Sequence, residues 1–243
     1  MSPDKRQHRG AHPADKGLFG PEKLRILRRA TAELSWLLGR GYAGLAALKL
    51  VGDRYALTAR QRLAVARAAS SDEQRESRRA RAVAFERARG EHLVVDGFNL
   101  IITLEAAMSG GLLIRARDHC IRDLSGVHGS YRSVEETEKA IHLVGEAFQT
   151  IEPGSVLWLL DSPVSNSGRL AHRIKEVAQR RSWPWTVETV FNPDALIRTS
   201  AKLAVTSDSA ILDGVPRWVN LNHYLITRYL SDSWLIDLSF EEQ

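Results

Sequence analysis

The stretch Leu93-Val94-Val95-Asp96-Gly97-Phe98-Asn99-Leu100-Ile101 runs apolar, stops at a carboxylate, turns at a glycine and becomes apolar again three residues later. An apolar run without alternation reads as a strand buried on both faces, the kind that parallel sheets use. Its Asp then stands at the sheet edge where α/β proteins place their ligands. Two later runs, 156–160 and 203–206, lead to Asp161 and Asp208 in the same way. In a parallel sheet such ends lie on one edge, so carboxylates far apart in sequence converge.

Around that stretch the chain divides by pattern. From residue 91 onward strands and helices alternate, the mark of an α/β sheet. Strands are expected at 92–96, 156–160, 185–190, 203–206, 218–220 and 234–238. Helices are expected at 97–108, 133–150, 165–181, 194–199 and from 222, with Ser133 and Glu136 as a capping box. Residues 112–117 and 120–124 read as a hairpin interrupting the alternation. Ahead of this region, Pro21 opens a helix with Leu24, Leu27, Thr31, Leu34 and Leu38 on one face, ending at Gly39 and Gly41. A second apolar segment covers 45–51. The pairs Thr58 with Gln61 and Ser71 with Gln74 predict two more capped helices, the last reaching Arg89. The expected organisation is a flexible arm over 1–20, a basic helical domain with a connecting helix over 21–90, and an α/β domain over 91–243.

Charge follows the same division. Residues 1–92 hold 20 Lys and Arg against 10 Asp and Glu, while the remainder holds 14 against 19. A basic module joined to an acidic one suits an anionic partner such as nucleic acid on one side and cations on the other. Arg75, Arg78 and Arg79 of the fourth helix are candidate phosphate contacts, since the guanidinium fork donates in pairs. A solvated connecting helix explains the same charges equally well. Cys120 is the one cysteine, which excludes a disulfide framework and a cysteine zinc site. No apolar run is long enough to span a bilayer and no signal-peptide pattern opens the chain, so a cytoplasmic protein is expected.

Converging carboxylates repel and take up protons unless a cation is present. Asp96, Asp161 and Asp208, with Asp194 added, therefore point to an oxygen-only site for Mg²⁺ or Mn²⁺. Each Asp taken singly could equally cap the helix that follows it. Glu105 and Asp213 are weaker supporting candidates. In the segment Gly126-Val127-His128-Gly129-Ser130-Tyr131-Arg132, backbone amides and Arg132 could hold a phosphate, with His128 beside it and Tyr131 stacking on a base; a tight structural loop is as good an account. Ser165, Asn166 and Ser167 open a helix suited to an anion, although N-capping is the stronger reading.

The residues Val94-Val95-Asp96-Gly97-Phe98-Asn99, Leu159-Leu160-Asp161, Asn192-Pro193-Asp194 and Val205-Thr206-Ser207-Asp208 resemble, in order and spacing, the acidic motifs of the NYN branch of the PIN-domain nucleases. The resemblance covers about residues 91–240. It implies a PIN-like three-layer α/β/α domain with a mainly parallel sheet, beside an all-α N-terminal domain. It also implies Asp96, Asp161, Asp194 and Asp208 as the catalytic metal ligands, Asn99 as a neighbouring ligand or orienter, and metal-dependent hydrolysis of RNA. The hairpin at 112–124 and the segment 126–132 have no counterpart in that pattern. Glu33-Leu34-Ser35-Trp36-Leu37-Leu38 and Lys49-Leu50-Val51-Gly52-Asp53-Arg54-Tyr55 resemble a prokaryotic family of unknown function.

The expected function is a Mg²⁺- or Mn²⁺-dependent ribonuclease whose basic N-terminal helices bind single-stranded or structured RNA. The alternative is a non-catalytic nucleic-acid-binding protein with a silent PIN-like fold. A phosphatase using Asp96 as nucleophile is disfavoured by Phe98, which stands where such chemistry places a second Asp. The partner expected is RNA and not a membrane; a homo-oligomer is left open.

Overall fold

The computed structural model describes residues 8–125 and 131–239. His128, with the rest of 126–130, lies outside the described residues. In chain order the elements are α1 (Asp15–Leu18), α2 (Pro21–Gly39), α3 (Gly44–Arg54), α4 (Ala59–Ala68) and α5 (Asp72–Arg81), then a 3₁₀ turn (Phe85–Ala88). There follow β1 (His92–Asp96), α6 (Gly97–Met108), β2 (Leu113–Arg115), β3 (Ile121–Asp123), α7 (Glu136–Ile151), β4 (Ser155–Asp161), α8 (Ser167–Arg180) and β5 (Trp185–Val190). The chain ends with α9 (Pro193–Thr199), β6 (Leu203–Val205), α10 (Ser209–Leu212), β7 (Trp218–Val219), α11 (Leu221–Tyr229) and β8 (Leu235–Asp237).

Five strands form one parallel sheet in the order β5-β4-β1-β6-β7. Side chains alternate between its faces with period two. Leu93, Val95, Val156, Trp158 and Leu160 enter the larger core, which they share with α6, α7, α8 and α11. Val94, Leu159 and Ala204 face the other way, against Ile197 of α9 and Ile211 and Leu212 of α10. The sheet is thus buried on both faces, as its unalternating apolar strands require.

The hairpin β2–β3 takes β8 as a third strand, in a second sheet ordered β3-β2-β8. This sheet is the floor of the N-terminal helices. Leu112, Ile114, Ala116, Leu124, Ile236 and Leu238 share one core with Leu27 and Leu34 of α2, Val51 of α3 and Val65 of α4. Both capping boxes expected at Thr58–Gln61 and Ser71–Gln74 are formed, with the reciprocal side-chain and backbone bonds present.

Four local expectations are corrected. A flexible arm is expected over 1–20, yet within its described part, 8–20, Asp15 is fully buried beneath the Arg60 guanidinium and Phe19 is buried in the helical core. The fourth helix ends at Arg81 rather than Arg89, because Ala82 bridges to Trp218 and Val83 N–H donates to the Trp218 carbonyl at 2.8 Å, extending the main sheet past β7. Ser133 makes no cap for α7, whose N-cap is Glu135 with no side-chain bond. Asn166 stands at the N-cap of α8 in a left-handed conformation, and its amide donates to the Tyr131 carbonyl at 2.9 Å instead of capping.

Candidate functional site

The adjacent strands β4, β1 and β6 fix where the carboxylates fall. Asp96 is level with Leu159 of β4, and Val95 is level with Val205 of β6, so Thr206 stands beside Asp96. Asp161 lies two residues beyond Leu159 and shares its side of the sheet, the side of Val94 and Asp96. Asp161 is in turn level with Val190 of β5, from which the chain turns through Asn192 into α9 and brings Asp194 to the same edge. Asp96, Asp161, Asp194 and Asp208 all line one cleft of about 450 Å³. Phe98, Ile102 and Val164 give it an apolar lining, and Arg67 of α4 and Arg122 of β3 also line it.

Hydrogen bonds tie the strand ends together. Thr206 Oγ1 donates to Asp96 Oδ2 at 2.8 Å and accepts from the Asp208 amide at 3.0 Å. Asn99 Oδ1 accepts from both the amide and the hydroxyl of Ser207, at 3.1 and 2.6 Å. Arg122 Nε donates to the Ser207 carbonyl at 2.7 Å, and the Asn222 amide donates to Ser207 Oγ at 3.2 Å. The loop carrying Asp208 is therefore held on four sides. Asn99 acts as its orienter, with the amide oxygen already committed. Asp208 Oδ1 also caps α10, accepting from Ala210 and Ile211, so this residue both caps a helix and lines the cleft.

None of the four aspartates forms an ion pair with Lys, Arg or His among the described residues. Burial pushes the Asp96 carboxyl up to about 7; the Thr206 hydroxyl opposes this, while the Asp208 and Asp194 charges reinforce it. Asp194 is raised too, first by burial and then by Asp208. Four carboxylates without an ion pair, gathered in one cleft, have the donor chemistry of a hard divalent cation. As they stand, no three Asp, Glu, His or Cys side chains among the described residues are close enough to share one ion.

Gly97 lets this arrangement close. A Cβ built there would lie 2.6 Å from Leu160 Cδ2 and 3.0 Å from the Leu159 carbonyl. Gly97→Ala is expected to destabilise the protein by about 1–3 kcal/mol through overpacking, measured by denaturant unfolding, because α6 must lift off β4 directly beside Asp96.

The other candidates are placed elsewhere. Glu105 is fully buried behind α6, beneath the Arg9 guanidinium and 2.5 Å from both the Tyr131 and Thr137 hydroxyls. It faces these partners and not the cleft. Tyr131 is itself buried, so it offers no face to a base. Arg132 receives the Arg9 guanidinium on its carbonyl at 2.9 Å. Asp213 pairs with Arg78 and is a structural anion rather than a cleft ligand. Arg78 is buried between Asp213 and Asp118, both at 2.7 Å, which removes it from phosphate binding. Arg75 is engaged by Asp72 and Glu76, while Arg79 is exposed on α5. Ser167 is buried in the first turn of α8, and the exposed Ser165 gives its carbonyl to the Tyr131 amide.

The sequence reading missed Thr206 and Ser207 as orienters and Arg122 as the buried cation behind Asp208. Two hydroxyl residues between an apolar strand and its terminal Asp were the available signal for the first pair. For Arg122, set in a hairpin, none existed.

A family model described as "Domain of unknown function (DUF5616)" matches residues 85–224, and one described as "Protein of unknown function (DUF434)" matches 26–81. An uncharacterized protein, MJ0935 of Methanocaldococcus jannaschii, is 32% identical over 186 residues, covering 76% of this chain and 88% of that one. No solved structure matches.

Proposed function

The chain belongs to the DUF5616 family, and from the acidic edge that this family region carries we propose that it is a metal-dependent ribonuclease. The observation that carries the reading is the delivery to one cleft of four carboxylates that form no ion pair among the described residues. Three come from the ends of the adjacent parallel strands β4, β1 and β6, and Asp194 comes from α9. The resemblance of the same four positions to the acidic motifs of PIN-like nucleases supports it.

Asp96, Asp161, Asp208 and Asp194 would hold Mg²⁺ or Mn²⁺, which supplies charge stabilisation at phosphate and a water of lowered pKa. The chain's own contribution is orientation. Thr206 fixes one oxygen of Asp96, Asn99 and Arg122 fix the backbone before Asp208, and Asp208 keeps one oxygen beyond its cap bonds. Phe98, Ile102 and Val164 give the same cleft an apolar lining that sheds water. The test is hydrolysis of single-stranded RNA by the full chain in Mn²⁺ or Mg²⁺ against EDTA, for the parent and for Asp96→Asn. Metal-dependent cleavage lost in the variant supports the proposal; cleavage that survives EDTA or the substitution sinks it.

One observation favours a second reading, a non-catalytic nucleic-acid-binding protein: the carboxylates as arranged are not close enough for three to share an ion. A parent chain that binds RNA and cleaves none in either metal would establish that reading. No helix among the described residues is long and apolar enough to cross a membrane.

A further inference from the structure

Burial and pairing remove Arg78 of α5 from phosphate recognition, but α2 carries a different basic surface. Arg25, Arg29, Ala32, Trp36 and Arg40 follow one another at helical spacing and share one face of α2 and its C-cap. Arg25, Arg29 and Arg40 are exposed, and Trp36 is 55% exposed. None of these three arginines forms an ion pair among the described residues. The Arg40 guanidinium lies over the Trp36 ring, 3.4 Å from its centroid.

Beside Trp36 opens a cavity of about 600 Å³ walled by Ala32, Leu37, Leu50 and Val51, with Arg54 among its lining residues. Its two acidic lining residues are paired: Glu33 lies 3.5 Å from the Arg54 guanidinium and accepts the Tyr55 hydroxyl at 2.7 Å, and Asp72 accepts Arg117 at 2.9 Å. The face therefore combines guanidiniums lacking a counter-ion, an exposed indole and an apolar recess wide enough for a base. From Arg25 to Arg40 it runs about 22 Å at helical rise, several nucleotides of an extended strand. Arginine forks match phosphate, and aromatic faces take bases that are not already stacked in a duplex.

We propose that the α2 face of Arg25, Arg29, Trp36 and Arg40 is a docking site for single-stranded RNA, with one base seated on Trp36 in the adjoining cavity. The choice of RNA rests on the nuclease reading; the surface itself rests on α2.

The test uses the full chain carrying Asp96→Asn in EDTA, so that binding is read without cleavage. Fluorescence anisotropy is measured with labelled oligouridylate, with the same strand made abasic, and with an RNA duplex. Trp36→Ala is expected to weaken oligouridylate binding about tenfold, to leave the abasic strand unchanged, and to be largely rescued by Trp36→Phe. Arg25→Ala with Arg29→Ala is expected to weaken both strands and to flatten the salt dependence by about 1.4 in log–log slope, at about 0.7 per lost contact. The proposal fails if oligouridylate is not bound, if Trp36→Ala matches the parent, or if it loses equally on the abasic strand. It fails also if the duplex binds as well as the single strand. A dimer in sedimentation that Trp36→Ala dissolves, without RNA binding, would assign the face to self-association instead. Binding that depends on Trp36, in a parent chain that never cleaves, overturns the nuclease reading alone; cleavage without that dependence overturns the docking site alone.

Discussion

Asp96→Asn is expected to lower Mn²⁺-dependent cleavage of single-stranded RNA by at least about 100-fold, on the scale of losing one preorganised charge-stabilising group. RNA affinity, which the nuclease reading assigns to arginines and not to the cleft, should stay within error in the same variant. The substitution should also raise stability in metal-free buffer. A carboxylate whose folded pKa is raised from 3.8 to about 7 costs nothing below the lower value and its full penalty above the upper one. Parent stability should therefore fall between about pH 4 and 7, while Asp96→Asn removes that part of the slope. A melting temperature a few degrees above the parent at pH 8 is the expected reading. Equal melting temperatures across the whole range would contradict it.

Arg78→Met is the change with the largest expected effect on folding. The guanidinium bonds Asp118 at 2.7 Å and Asp213 at 2.7 and 2.9 Å, and Asp118 is held in turn by Arg122 at 2.6 Å. Removing one partner leaves buried charge uncompensated, at a cost of about 3–5 kcal/mol. For a chain of this size that lowers the melting temperature by roughly 10 °C. The pH dependence has a definite sign. Burial works to raise the Asp118 carboxyl, but the Arg122 and Arg78 guanidiniums overcome it and hold the group at about 2. Its contribution is thus complete above the reference value of 3.8 and is lost as pH falls toward 2. Acid unfolding followed by circular dichroism should begin at higher pH in Arg78→Met than in the parent.

The acidic edge was legible because its signals are local. Val94-Val95-Asp96 and Leu159-Leu160-Asp161 announce buried strands that end in charge, and the capping boxes at Thr58 and Ser71 specify their bonds within four residues. The misplaced residues all depend on partners far along the chain. Arg78 meets Asp118 forty residues on and Asp213 after a further long excursion, so a basic helix in sequence becomes a buried clasp in space. Glu105 and Tyr131 satisfy one another beneath Arg9, which the composition of residues 8–20 gave no reason to place there. The helix after Ser71 has no breaker at Arg81; the edge of β7 captures the chain instead.

The second sheet has a consequence for how the molecule comes apart. Strands β2 and β3 belong by sequence to the later matched segment and β8 follows it, yet Leu112, Ile114, Ala116 and Ile236 lie in the core of the earlier one. The seam between 26–81 and 85–224 is therefore not a seam in cooperativity. Neither segment can open without stripping the apolar face of the other, and calorimetry should show one endotherm rather than two. A chain cut at residue 84 would present that face to water and self-associate, whichever half is kept.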